Sequence, residues 1–238
     1  MILPLYLAMT GAEICGCQAL PGNLAYMACH FSSYSTGLSN LPEALPDGSL
    51  VILNDRIPVC GHDPVRICQQ LEQLSPAMLL LDLQRPAKET SGIIAAILDS
   101  GICPTAVSDL YAGCFDCAVF LSAPPPHMPL EKHIAPWQDR EIWLEAALEG
   151  CQCTITTDGS NIYSCQPETL PLSCHQLHCH YRIDGSESKV QITLSRSEED
   201  LVALLNQAKS LGICRAVGLY QQLKNRFMDL WAHMEENT

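Results

Sequence analysis

Basic residues are scarce in this sequence of 238 residues, which has 13 lysines and arginines against 26 aspartates and glutamates, a net charge of −13. The first basic residue is Arg56, and no lysine precedes Lys88. Such a chain repels phosphate backbones and anionic lipid head groups, so we expect neither nucleic acid nor a membrane surface as its partner. Its glycines form no GxGxxG or phosphate-loop pattern, and we therefore predict no cofactor.

Long hydrophobic runs are also missing. No stretch approaches the ~18 apolar residues that a membrane-spanning helix needs. The apolar start MILPLYLAMT is short and lacks the basic residues of a secretory signal, so we expect it to be a strand and the protein to be cytoplasmic. Hydrophobic residues nevertheless make up 47% of the chain, which is enough for a sizeable core.

Cysteine, by contrast, is abundant, with fourteen residues. This is many for a cytosolic protein but fewer than a disulfide scaffold carries. Cys29, Cys68 and Cys214 lie within apolar stretches, where a free thiol behaves as a small hydrophobic side chain. We expect reduced, mostly buried thiols rather than a disulfide framework.

Eight short apolar runs predict buried strands, because each is almost continuously hydrophobic rather than alternating. They cover residues 5–9, 24–30, 50–54, 78–82, 105–108, 118–121, 142–146 and 216–220. Helical patterns follow at residues 63–74, 89–98 and 197–211, and a closing helix at 222–234. Buried strands that alternate with helices predict an α/β fold, a (β/α)8 TIM-type barrel that is partly degenerate around its fifth and sixth strands.

Residues 151–195 interrupt this alternation. Asp158 with Gly159, and Asp184 with Gly185, are typical of hairpin turns, and each pair lies between two short strand-like runs. We predict a small antiparallel β insertion after the seventh strand, within a single barrel domain that spans residues 1–238.

Polar residues end the apolar runs, and in a barrel the carboxyl ends of the strands form the active-site face. Asp82 and Gln84 lie two residues apart, on the same face of their strand, and Glu145 is flanked by apolar residues on the seventh strand. A buried carboxylate costs several kcal/mol unless it is paired, hydrogen-bonded or protonated. Arg56 or Arg85 could supply a structural ion pair.

Two carboxyl groups that face each other across a barrel mouth are the arrangement that glycoside hydrolysis uses. On this basis Asp82 and Glu145 are the predicted catalytic residues. The aromatic members of the predicted substrate-binding set would provide a platform for a sugar ring, and the polar members would line the pocket. That set is Gln84, His30, Asn54, Asp109, Trp143 and Tyr220.

Residues 174–180, Cys-His-Gln-Leu-His-Cys-His, offer five potential zinc ligands. On a strand, His178 and His180 share one face and Cys179 lies on the other, so the five cannot all bind one ion. No second ligand pair accompanies them at a known spacing. We predict no metal, and keep a zinc-dependent hydrolase as an alternative.

The stretch LLLDLQRP, residues 79–86, resembles the fourth barrel strand of the chitinase-like family 18 glycoside hydrolases, whose signature ends in Asp-x-Glu after a hydrophobic run. Asp82 matches the assisting aspartate of that signature, Gln84 stands at the position of the catalytic acid, and Leu80 and Met78 replace its earlier acidic residues. An amide cannot donate the proton that a leaving sugar oxygen requires. The resemblance therefore implies a catalytically degenerate relative that binds carbohydrate.

A second group, the retaining hydrolases with carboxylates on strands four and seven, would use Asp82 and Glu145. There the usual acid is a glutamate rather than Asp82, and the usual preceding asparagine is Leu81 here. The sequence thus predicts a carbohydrate-directed, glycoside-hydrolase-like barrel with a carbohydrate or small-molecule ligand. The alternatives are a non-catalytic binding or protein-interaction barrel and the zinc hydrolase, and the sequence does not set the oligomeric state.

Overall fold

The computed structural model describes residues 3–17, 20–186, 188–224 and 227–229. The strands are β1 Leu5–Met9, β2 Leu24–Tyr26, β3 His30–Phe31, β4 Leu38–Ser39, β5 Leu50–Asn54, β6 Met78–Asp82, β7 Thr105–Ser108, β8 Ala118–Leu121, β9 Ile142–Ala146, β10 Gly150–Thr156, β11 Gly159–Cys165, β12 Leu172–Cys174, β13 Cys179–Ser186, β14 Lys189–Ser195 and β15 Arg215–Leu219. The helices are α1 Gly11–Gly16, α2 Pro64–Leu74, α3 Lys88–Ser100, α4 Asp109–Ala112, α5 Leu130–Ile134, α6 Glu198–Ser210 and α7 Tyr220–Leu223, with a 3₁₀ turn at Ala135–Trp137.

Eight parallel strands close into a barrel in the order β1, β2, β5, β6, β7, β8, β9 and β15, and β15 pairs back onto β1. The predicted (β/α)8 TIM-type barrel is therefore confirmed. Strands β1, β5, β6, β7, β8 and β9 have the predicted bounds. The run at residues 24–30 divides instead into β2 and the short β3, in which His30 pairs with Asn54 of β5.

The barrel is degenerate in two places. Between β7 and β8 the connecting helix α4 has only four residues, as the short segment before the sixth strand suggested. Between β2 and β5 no helix is present among the described residues, and the hairpin β3–β4 takes its place. The sequence did not indicate this second irregularity.

The helices begin where local chemistry favours them. Asp63 accepts a hydrogen bond from the backbone of Val65 at the start of α2, which has Pro64 as its first residue. Residues 227–229 are helical and Phe227 is buried, whereas Leu230, Trp231 and Met234 of the predicted closing helix lie outside the described residues. No helix in the described part of the chain is long and apolar enough to cross a membrane.

The capping box of α6 gives a first prediction. Ser197 accepts a hydrogen bond from the backbone of Asp200, and the Asp200 carboxylate accepts one from the backbone of Ser197. We expect Ser197→Ala to lower the free energy of unfolding by about 1 kcal/mol, because an orphan backbone donor loses its partner. Urea denaturation measures this, with Ser160→Ala at an exposed strand position as the control. An equal loss in both variants would contradict the capping role.

The insertion after the seventh barrel strand is one antiparallel sheet of five strands, in the order β11, β10, β14, β13, β12. The turn at Asp158 lies where it was predicted. The predicted turn at Asp184 and Gly185 is wrong, since β13 continues to Ser186. The register explains this, because it places Ile183 opposite Ile192 and so keeps apolar side chains on one face.

The barrel interior is filled by one cluster of buried side chains, among them Trp143 and Phe120. Two further clusters pack between the barrel wall and the outer helices. The Trp143 indole is completely buried, its Nε1 donates to Glu141 Oε1 at 2.7 Å, and the Arg215 guanidinium lies 4.7 Å from its ring centroid. Because Glu141 precedes β9 and Arg215 begins β15, the ring points towards the amino ends of the strands.

The cysteines are all free, as predicted, but most of them are not buried. Only Cys29, Cys151 and Cys179 are fully enclosed, whereas Cys68 is partly exposed and Cys214 is exposed. Cys214 lies just before β15, at the amino end of the strand, so its apolar sequence neighbourhood does not place it in the core.

Candidate functional site

Three barrel strands end in polar side chains that point inward. Alternation along β6 carries Leu80 and then Asp82 to the interior, and Asn54 of β5 is the register partner of Asp82. Glu145 of β9 follows the inward Trp143. These three polar side chains line a cavity of about 360 Å³ at the carboxyl ends of the strands, with an apolar floor. The floor and walls include Ala8, Ile52, Leu80, Phe120 and Val217.

The buried carboxyl of Asp82 is stabilised by a hydrogen bond from an amide rather than by a nearby cation. Gln84 Nε2 donates to Asp82 Oδ1 at 2.6 Å. Burial raises the pKa of Asp82, the hydrogen bond from Gln84 opposes that rise, and the nearby Asp55 carboxylate adds to it. Among the described residues, neither Arg56 nor Arg85 forms a salt bridge with Asp82. The structural ion pair considered from the sequence is therefore not formed there.

Glu145 accepts a hydrogen bond from the backbone of the loop that follows the neighbouring strand β8. Its Oε2 accepts a hydrogen bond from the Ala123 amide at 3.1 Å. Burial raises the pKa of Glu145, and the negative charges of Glu149 and Asp82 add to this rise while the Ala123 amide opposes it. The two predicted catalytic carboxyls therefore lie in one cavity, and the charge of Asp82 contributes to the raised pKa of Glu145.

A larger cleft of about 800 Å³ adjoins this cavity. The two share Met27, Asn54, Asp82 and Gln84 in their linings, so they form one continuous groove across the barrel mouth. His30 lines the outer cleft, where its Nδ1 donates to the Ala28 carbonyl at 3.0 Å. The groove is thus long enough to extend beyond the two carboxyls.

Asn54 lies where the two parts of the groove meet. Its Oδ1 accepts from the Arg56 backbone at 3.1 Å, which fixes the orientation of the amide. Gln84, which is exposed, completes this junction beside Asp82. Three of the predicted binding and catalytic residues, Asn54, Asp82 and Gln84, therefore lie at this junction, whereas Glu145 lines only the inner cavity and His30 only the outer cleft.

Three predicted substrate-binding residues lie elsewhere. Trp143 is completely buried at the opposite end of the barrel, so no sugar ring can stack on it. Asp109 is exposed on α4 and lines neither cavity, because it follows the end of β7. Tyr220 begins α7, one residue beyond the inward Leu219, and its hydroxyl accepts from Cys17 Sγ at 3.7 Å on the outer side of the barrel.

Several members of the groove lie outside the predicted site set, among them Ser122 and Tyr26. Ser122 lines the inner cavity beside Glu145, and its position directly after the sixth apolar run was the available signal. Tyr26 lines the outer cleft, where its hydroxyl donates to the Asn40 carbonyl at 2.6 Å. Its position inside an apolar run gave no indication of this.

The cluster at residues 174–180 does not assemble a ligand set. His178 Nε2 lies 3.0 Å from Gln207 Oε1, and His180 Nδ1 lies 2.7 Å from Asp200 Oδ2. Cys174 and Cys179 pack in an apolar cluster. Across the described ranges, no three His, Cys, Asp or Glu side chains are placed to hold a metal ion. The zinc-hydrolase alternative therefore has no support in the geometry of these residues.

The buried position of Glu145 gives a prediction about pH. Because its pKa is raised in the folded state, the folded protein binds this proton more tightly than the unfolded chain. The stability of the parent should therefore fall as the pH rises from the ordinary value of 4.5 to the raised value. Glu145→Gln removes this loss, so its stability relative to the parent should be higher at pH 7 than at pH ~4.

Urea denaturation at both pH values measures the effect of Glu145→Gln. Glu43→Gln, at an exposed loop position, controls for the loss of one negative charge. A stability difference that is the same at both pH values would show that Glu145 titrates alike in the folded and unfolded chains.

Comparisons with known proteins agree with the barrel. No protein-family model and no curated protein matches the sequence. Among solved structures, the chain is similar to the C-terminal domain of a candidate chitinase from Desulfitobacterium hafniense, with a TM-score of 0.56, 10% identity and coverage of 98% of this chain and 99% of that one. It is also similar to a chitinase from Chromobacterium violaceum, with a TM-score of 0.55, 9% identity and 98% coverage of both chains.

A third similar structure is the spore cortex-lytic enzyme SleL from Bacillus megaterium, with a TM-score of 0.52, 10% identity and coverage of 99% of this chain and 74% of that one. Identities this low establish the fold and not the activity. The similar structures thereby confirm the (β/α)8 architecture that the resemblance of residues 79–86 implied.

Proposed function

We propose that this protein binds carbohydrate at its barrel mouth and does not hydrolyse it by the acid mechanism of the chitinase-like family. The observation that carries the proposal is the Asp82–Gln84 pair. Gln84 occupies the position of the family's acid and donates its amide hydrogen to Asp82. An amide has no proton to give to a leaving sugar oxygen near neutral pH.

The groove supplies what sugar recognition needs. Gln84 donates a hydrogen bond to one oxygen of Asp82, and the backbone amide of Ala123 donates one to an oxygen of Glu145. In the described part of the chain, the second oxygen of each carboxyl has no hydrogen-bond donor. Those oxygens can accept hydrogen bonds from sugar hydroxyl or amide groups. Apolar side chains form the floor beneath them, which suits the C–H face of a pyranose ring.

N-acetylglucosamine oligosaccharides are the first ligands to test, because two of the similar structures carry the name chitinase. An acetamido N–H also matches a carboxylate acceptor such as Asp82. Cellotetraose, which has the same backbone length but no acetamido groups, is the matched control for N-acetylated chitotetraose.

The test combines binding with turnover. Calorimetric titration should give saturable binding of chitotetraose, and chromatography of the same mixture should show no shorter sugars after prolonged incubation. The absence of saturable binding to either oligosaccharide would overturn the proposal.

A second candidate function rests on the raised pKa of Glu145 in the same cavity as Asp82. A carboxyl that retains its proton can act as a general acid, and Asp82 would then be its partner carboxylate. Release of shorter sugars by the parent, lost in Glu145→Gln, would establish this hydrolase instead of the binding protein.

A further inference from the structure

The hairpin of β12 and β13 brings two cysteines together. Cys174 ends β12, Cys179 begins β13, and the strand register places them directly opposite each other. Residues 175–178 connect them, and the Leu177 amide donates to the Cys174 carbonyl at 3.2 Å, which fixes the turn. Since opposite residues of an antiparallel pair point to the same side of the sheet, the two thiols lie on one face.

The spacing of the two strands suits a disulfide bond. Directly opposite residues of an antiparallel pair have Cα atoms about 4.5 to 5.5 Å apart. A disulfide requires Cα atoms about 4.4 to 6.8 Å apart, with both Cβ atoms directed to the same side. Cys174 and Cys179 also pack in the same apolar cluster of the insertion. The bond can therefore form without movement of either strand.

The two thiols differ in their access to solvent. Cys179 is completely buried, and its Sγ donates to the Pro126 carbonyl at 3.6 Å. Burial raises the pKa of Cys179 to about 12, and the proximity of Cys174 adds to this rise. Cys174 is only partly buried. A soluble oxidant therefore reaches Cys174 first, and Cys179 reacts only through its partner.

A buried guanidinium lies beside Cys179. Arg196 is 1% exposed, its Nε donates to the His178 carbonyl at 3.2 Å, and its Nη1 donates to the Pro124 carbonyl at 3.0 Å. In the described part of the chain its Nη2 has no hydrogen-bond partner. The charge of Arg196 opposes the rise in the pKa of Cys179, because a neighbouring cation favours the thiolate. Arg196 therefore assists the reaction of Cys179 once Cys174 has been modified.

We propose that Cys174 and Cys179 form a redox-active pair, which a soluble disulfide such as oxidised glutathione converts into a disulfide bond across the hairpin. The Cys174 thiol releases its proton to water, and the thiolate attacks one sulfur of the oxidant. The disulfide bond of the oxidant breaks, and one glutathione leaves as a thiolate that takes up a proton.

The second step closes the bond. Cys179 releases its proton, its thiolate attacks the Cys174 sulfur, and the second glutathione leaves in the same way. The two cysteines together lose two electrons, which reduce the oxidant to two thiols. Reduced glutathione in excess reverses both steps.

The hairpin holds the insertion against the barrel, so the bond should stabilise the fold. His178 Nε2 lies 3.0 Å from Gln207 Oε1 of α6, and Cys179 contacts Pro126 after β8. A cross-link that fits the folded chain restricts mainly the unfolded one. Oxidation should therefore shift the urea midpoint upwards more in the parent than in Cys174→Ser. Equal shifts in the two proteins would contradict a bond that fits the folded hairpin.

Chymotrypsin tests the pairing, because cleavage after Leu177 separates the two cysteines. The folded, reduced full chain is incubated with oxidised glutathione, the remaining thiols are alkylated, and the digest is analysed by mass spectrometry. The parent should give two peptides that are joined through Cys174 and Cys179 and that separate after reduction. Two unmodified thiols, a glutathione adduct that persists on Cys174, or a bond from Cys179 to Cys151 would overturn the proposal.

Matched variants identify the order of the steps. Cys174→Ser removes the accessible partner and should leave Cys179 as a free thiol, because glutathione does not reach it. Cys153→Ser makes the same substitution on β10, where the register partners are Ile162 and Ile192, and should leave the joined peptides unchanged. Circular dichroism confirms that both variants are folded. Uptake of glutathione by Cys179 in Cys174→Ser would show that Cys179 reacts independently and would contradict the proposed pair.

Discussion

Trp143→Ala is expected to lower the free energy of unfolding by about 3 to 5 kcal/mol, the largest loss of stability among these variants. Among the described residues, the indole is the largest of the completely buried side chains, and it lies inside the barrel. Its removal leaves a cavity that the closed ring of strands cannot collapse to fill. It also deprives Glu141 of the Nε1 donor and Arg215 of the ring beneath its guanidinium.

Urea denaturation followed by circular dichroism measures the effect of Trp143→Ala. Trp137→Ala is the matched control, because that ring is only partly buried at the barrel's outer surface and should cost clearly less. Trp143→Phe, which keeps most of the volume, should lie between them. If Trp143→Ala left the stability unchanged and weakened sugar binding, Trp143 would contact the sugar ring, as the sequence predicted.

Asp82→Asn is expected to weaken binding of N-acetylated chitotetraose by about 10- to 100-fold. The substitution preserves the shape of the side chain and the oxygen that accepts from Gln84, but it replaces the second acceptor oxygen with an amide donor. Hydrogen bonds to charged groups contribute about 1.5 to 3 kcal/mol, which corresponds to this range of affinity.

Calorimetric titration of the folded variant measures the change in affinity caused by Asp82→Asn. Asp109→Asn removes the same charge at an exposed position outside the groove and should bind like the parent. If the two variants bind alike, the ligand lies away from Asp82 and the proposed site is wrong.

The sequence by itself determined the architecture of this protein. Strands buried on both faces are nearly continuous apolar runs, so β5 and β6 could be bounded to the residue. The same reasoning identified the mouth, because a period of two along β6 carries Asp82 to the interior at the end of the strand. Residues 79–86 also indicated a resemblance to chitinase-like barrels, and the fold of the similar structures agrees with it.

Only the tertiary structure decided where individual side chains point. Trp143 and Glu145 share one face of β9, yet the ring lies at the bottom of the barrel and the carboxyl at its mouth, and periodicity cannot distinguish the two ends. Tyr220 lies outside the groove because Val217 and Leu219 are the inward residues of β15, so the next residue along the chain points to the outer side. The extent of β13, which continues past the predicted turn at Asp184 and Gly185, likewise depends on the register of Ile183 opposite Ile192. That register is set by pairing between strands and not by either strand alone.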